Sequence, residues 1–168
     1  MILAALCPED TAECDSALAA LADQLIGQGR RAVGAVQLPQ GDAATRCMDL
    51  RLLPGGRVLR ISQDLGPAAQ SCRLDPGALE MAVATAEAAL AAAPADLLVV
   101  NRFGQQEAVG RGFAALIGTA LEGGVPVIVG LSPKFHPQFV DFAGDLAEWL
   151  PADPSALMAW WARAGISA

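Results

Sequence analysis

Three short apolar runs constrain this chain more than any other feature: MILAAL at 1–6, DLLVV at 96–100 and VPVIVGL at 125–131. Each is too short for a core helix and too continuous for a strand with one wet face. Such runs, bounded by turn residues, are strands buried on both sides. RRAVGAVQLP at 30–39 is a further strand of the same kind. Between the runs the apolar spacing changes to the helical period. In DTAECDSALAALADQLIGQG, Ala17, Leu18, Leu21 and Leu25 share one face, Asp10 and Glu13 form a capping box, and Gly27 and Gly29 close the helix. LDPGALEMAVATAEAALAAA starts a second helix with Pro76 in its first turn. GRGFAALIGTALEGG gives a third, and PSALMAWWARAG a last one. CMDLRLLPGGRVLRI, at 47–61, alternates on either side of Pro-Gly-Gly and is a hairpin.

Strands alternating with helices imply an α/β fold of three layers: a mostly parallel sheet, helices on both faces and an antiparallel β-hairpin. The 168 residues are enough for one domain spanning 1–168, and no internal repeat or long linker divides them. Hydrophobic residues make up 54% of the chain, with much of the excess in alanine, which suits helices packed closely on a sheet.

The formal net charge of −7 excludes broad nucleic-acid binding or adhesion to anionic membrane, both of which need a basic footprint. The apolar N-terminal run has no basic residues before it, and acids follow at once. It is therefore a strand and not a signal peptide, no membrane insertion is expected, and the expected location is the cytoplasm. The four cysteines (7, 14, 47 and 72) have no CxxC spacing, so free thiols and no metal site are expected.

In a sheet of this type ligands bind beyond the carboxyl ends of the strands. Loops 7–11, 101–107 and 131–137 should meet there. The order of elements resembles the small P-loop nucleoside-triphosphatase family first known from thermophiles. In that family the Walker B strand ends in Asp-Glu-Ile-Gly, two residues, then Glu; here DLLVV is followed by Asn101, Arg102, Phe103 and Gly104, with Glu107 in the matching place. LDPGALEMAV resembles the segment before that strand. NRFGQQEAVGRGF resembles still more closely an uncharacterised bacterial domain family regarded as related to the P-loop class. Its members tend to be encoded near molybdate-uptake genes, which implies a molybdenum-linked accessory role.

The Walker motifs are degenerate. A P-loop wraps phosphate in glycine amides and neutralises it with lysine, but CPEDTAECDS has neither residue. Glu9, Asp10, Glu13 and Asp15 crowd the helix start and would repel a triphosphate. Asn101 and Arg102 stand where carboxylates would hold a magnesium ion. Conventional hydrolysis of ATP or GTP is not expected. The expected function is non-hydrolytic binding of a small anion, such as molybdate or tungstate, or of a nucleotide, by an accessory or regulatory protein. Asn101, Arg102, Glu107, Arg111, Lys134, Cys7, Thr11 and Arg73 are the candidate ligand-binding residues. Arginine offers five donors for an oxyanion, and Lys134 is the one lysine of the chain. The more ordinary account of Arg102 is a surface pair with Glu107, and of Arg73 a pair with Asp75. The alternative function is a divergent nucleoside-triphosphatase or phosphotransfer enzyme, with Glu107 as general base and Arg102 and Arg111 on the transferred phosphate. A third reading is a homodimer or partner contact through Trp160 and Trp161.

Overall fold

The computed structural model describes residues 2–39, 48–63 and 74–165. Strands β1 (Leu3–Leu6), β2 (Ala32–Gln37), β3 (Asp49–Leu53), β4 (Val58–Arg60), β5 (Leu97–Phe103), β6 (Val127–Leu131) and β7 (Ala147–Trp149) form one sheet in the order β4-β3-β2-β5-β6-β1-β7. β2, β5, β6, β1 and β7 run parallel to one another. β3 is antiparallel to β2, and β4 to β3, across the expected Pro54-Gly55-Gly56 turn. Gly55 and Gly56 both hold positive φ there, which a side chain would resist.

β1, β2 and β6 are buried along their whole length, and β5 at every residue except Arg102. Helices cover both faces. On one side Leu18, Leu21 and Leu25 of α1 (Thr11–Gly27) pack with Leu157 and Trp160 of α6 (Pro154–Gly165) against Val99 and Ile128. On the other, Leu79 and Val83 of α2 (Pro76–Ala92) and Ile117 of α4 (Ala114–Glu122) pack against Leu98, Val100 and Val129. Each such side chain contributes about 1.5–3 kcal/mol by leaving water. The sheet is thus the middle of three layers, as the apolar runs require.

The cap residues set the helix starts. Asp10 accepts from Ala12 N at 2.9 Å, and Asp75 from Gly77 N and Ala78 N at 2.9 and 3.2 Å. Gly29, at φ 76°, turns the chain after α1. Two stretches differ from expectation. The third helix begins at Ala114 and not at the GRG sequence, because a separate turn of helix, α3 (Gln105–Ala108), precedes it and Gly110 and Gly112 hold positive φ between the two. Residues 131–137 are not a plain loop: Pro133–Phe135 is a 3-10 turn leading into α5 (His136–Ala143), whose Phe139 is buried in the core. The tryptophan pair is also divided. Trp160 is 0% exposed and packs in the core, whereas Trp161 is half-buried and its Nε1 donates to Asp96 O at 3.0 Å. Among the described residues no helix is long and apolar enough to cross a membrane.

Candidate functional site at the carboxyl edge

Alternation along β5 decides where its last polar residues act. Val99 belongs to the core beneath α1, so Asn101, two residues on, faces the same helix. Asn101 Nδ2 donates to Asp15 Oδ1 at 3.1 Å. Arg102 Nε donates to the same oxygen at 3.1 Å and its Nη2 to Oδ2 at 2.8 Å, a two-pronged pair. The Asp15 side chain is 7% exposed and that of Arg102 24%. Arg102 therefore pairs with Asp15 of the first helix and not with Glu107, the ordinary alternative to a ligand. This fork uses two of the three guanidinium nitrogens and offsets the positive charge.

Cys14 lies next to Asp15 and under Gly130, where a Cβ would crowd Cys14 Sγ, Leu18 and Asn101 Oδ1. Burial, and then the charge of Asp15, push the Cys14 thiol up to about 12, with Arg102 opposing. Burial and Glu9 also raise Cys7. Both thiols are therefore poor nucleophiles near neutrality. His136 does not serve them as a base; it stacks on Trp149 with ring centroids 4.7 Å apart.

On the opposite face, between the ends of β2 and β5 and the start of α2, lies a cavity of about 350 Å³. Its polar lining includes Gln37, Arg102, Glu107, Ser132 and Lys134. Leu50, Ile61, Leu79, Phe113 and Phe135 supply much of the apolar wall. Glu107 is 3% exposed and accepts from Gly104 N at 3.0 Å and Phe113 N at 3.1 Å. It closes the 104–113 loop from within. Gly112 is required beside it, since a Cβ there would collide with Glu107 Oε1. Burial pushes the Glu107 carboxyl up, while the backbone donors pull it back.

The remaining candidates scatter. Lys134 is exposed at the cavity, its Nζ 5.3 Å from the centre of the Phe135 ring. Arg111 is exposed on the turn before α4 and does not line the cavity. Cys7 and Thr11 are half-buried near the start of α1, also outside it. Arg73 lies outside the described residues. Gln37 was missed: it is 5% exposed, and its Nε2 has no hydrogen-bond partner among the described residues. The available signal was a polar residue closing an apolar strand. Among the described residues no cluster of three or more His, Cys, Asp or Glu could hold a metal ion. A nucleoside triphosphate with magnesium does not fit the start of α1, where the Asp10 carboxylate already takes an amide that a phosphate would need.

Residues 3–160 match the model of the family described as "Protein of unknown function (DUF2478)", and the chain belongs to that family. It is 33% identical over 156 residues, 92% of its length, to a protein of Bradyrhizobium diazoefficiens named "Molybdenum import ATP-binding protein ModC 2". The chain spans 17% of that relative's length. Its fold is similar to that of THEP1 from the hyperthermophile Aquifex aeolicus, with a TM-score of 0.62 at 13% identity, over 96% of this chain and 94% of that one. The P-loop-nucleoside-triphosphatase-like architecture expected from the order of elements is therefore shown.

Proposed function

We propose that this DUF2478 protein is a non-hydrolytic accessory domain that binds a small anion or a nucleotide at the carboxyl edge of its sheet, in the setting of molybdenum uptake. The observation that carries the reading is the Asp15–Arg102–Asn101 cluster. A hydrolase of this architecture needs an unencumbered cation for phosphate and a carboxylate for metal at this edge. Here the acid and the arginine are paired with each other. Arg102 keeps Nη1 outside both bonds and lines the cavity together with Lys134, so an anionic group has two cations to meet. The molybdenum setting is supported by the Bradyrhizobium relative, a protein named for molybdenum import.

The phosphotransfer alternative has weaker support. Both Glu107 oxygens accept from backbone amides, which leaves a poor general base, and Arg111 stands away from the cavity.

The test is a thermal-shift and calorimetric series with molybdate, tungstate, sulfate, phosphate, AMP, GMP, UMP, ATP and GTP, with and without magnesium, alongside a phosphate-release assay. The expected result is selective stabilisation by one ligand without turnover, about 2.7 kcal/mol at a hundredfold excess over Kd. Lys134→Ala, at an exposed site, should weaken it several-fold without unfolding the chain. Magnesium-dependent phosphate release, or no stabilisation by any ligand of the series, would overturn the proposal.

A further inference from the structure

Gln37 closes β2 directly opposite Leu50 of β3, so both side chains stand on the face that carries the cavity. Its Nε2 is buried there with no partner among the described residues. An orphaned buried donor of this kind costs about 1–3 kcal/mol, and leucine in its place would avoid that cost. The group is explained if an acceptor arrives with a ligand.

The walls narrow the choice of ligand. Leu50, Ile61, Leu79 and Phe113 present hydrocarbon. A bare tetrahedral oxyanion would lose its water against these side chains with little to replace it. It would also leave most of the roughly 350 Å³ unfilled. A molecule with a flat apolar body fits a lining of this composition, and cavities of this size suit small organic ligands. Phe135, half-buried beside the cavity, offers a ring face for stacking. Positive charge is limited: Arg102 is offset by Asp15, and Lys134 is exposed. That supply matches a ligand of one or two negative charges and not a triphosphate.

We propose that this cavity is a socket for a mononucleotide-type ligand, whose heteroaromatic ring accepts from Gln37 Nε2 at the buried end and whose anionic group lies beside Arg102 and Lys134. This names the ligand class of the site proposed above and rests on that reading. It places the ring on the α2 side of the sheet, away from the start of α1.

The test titrates the full chain with AMP, GMP and UMP, using ribose 5-phosphate, inorganic phosphate and molybdate as probes that lack the ring. At least one nucleoside monophosphate should bind tenfold or more tightly than ribose 5-phosphate. Gln37→Leu should weaken that nucleotide about tenfold, the worth of one buried hydrogen bond, and raise the melting temperature of the ligand-free protein. In a ¹⁵N-labelled sample, the side-chain amide signals that vanish in Gln37→Leu should move when the nucleotide is added. Equal binding of ribose 5-phosphate, unchanged nucleotide affinity in Gln37→Leu, or an unmoved Gln37 amide would overturn the socket. Binding of molybdate or phosphate that depends on Lys134, without nucleotide binding, would defeat this inference and leave the anion-binding function standing. No binding by any probe would defeat both.

Discussion

The two faces of the carboxyl edge handle polar groups in opposite ways, although β5 contributes to both. Toward α1, Asp15 receives Asn101 and both prongs of Arg102, and Gly130 lets Cys14 pack down on the strand. On that face the charged pair is closed by its own residues, and only Asn101 Oδ1, held against Gly130, is left without a partner among the described residues. Toward α2, Glu107 is likewise satisfied by backbone amides, but Gln37 is left over at the side of a cavity. The contrast separates roles that sequence position alone confounds. A charged pair that meets its own partner holds the fold, whereas a buried donor facing open volume is available to a ligand.

The largest test of this contrast is Asp15→Ala. It strips Asn101 and a three-quarters-buried guanidinium of their acceptor, and should cost about 3 kcal/mol in urea unfolding. A loss below about 1 kcal/mol would put the pair in the class of surface ion pairs and remove the distinction between the faces.

Gly130→Ala should come next, at about 2 kcal/mol, because the added methyl overpacks Cys14 and Leu18. Combining it with Cys14→Ala removes the Sγ that it meets, so the double variant should recover part of the loss. Strict additivity would show that Cys14 is not the obstacle.

The smallest effect concerns Glu107 and is read through pH. Its folded pKa is raised above the ordinary value of 4.5, so the fold holds this proton more tightly than the unfolded chain does. The contribution to stability is therefore full below the unfolded pKa and is lost as pH rises from 4.5 through the folded value. Glu107→Gln cannot titrate. Its amide nitrogen also cannot accept from Gly104 or Phe113, so it should cost about 1 kcal/mol at pH 4 and less as pH rises. A deficit that grows with pH would mean the carboxylate, and not the acid, is the favoured form in the fold.

Much of the architecture was legible before any coordinates. MILAAL, DLLVV and VPVIVGL are strands because an uninterrupted apolar run can only be buried on both faces, and Asp75-Pro76 marks a helix start by chemistry local to four residues. The helix at 136–143 and the edge strand β7 were not legible. Each is short and draws its order from neighbours: Phe139 from the core and Ala147–Trp149 from pairing with β1. The candidate site was half legible. Asn101, Arg102, Glu107 and Lys134 do line one cavity, while Cys7, Thr11 and Arg111 lie outside it.

By itself the sequence determined the layers, the parallel sheet with its hairpin and the lack of a glycine- and lysine-bearing loop after the first strand, because periodicity, turn residues and missing side chains are local properties. Only the tertiary structure decided that Arg102 belongs to Asp15, 87 residues away, that Glu107 braces its own loop and that Gln37 Nε2 has no partner among the described residues. Which polar groups find one another depends on how distant strands and helices are stacked, and in a low-dielectric interior that matching determines whether a group holds the fold together or stays open to a ligand.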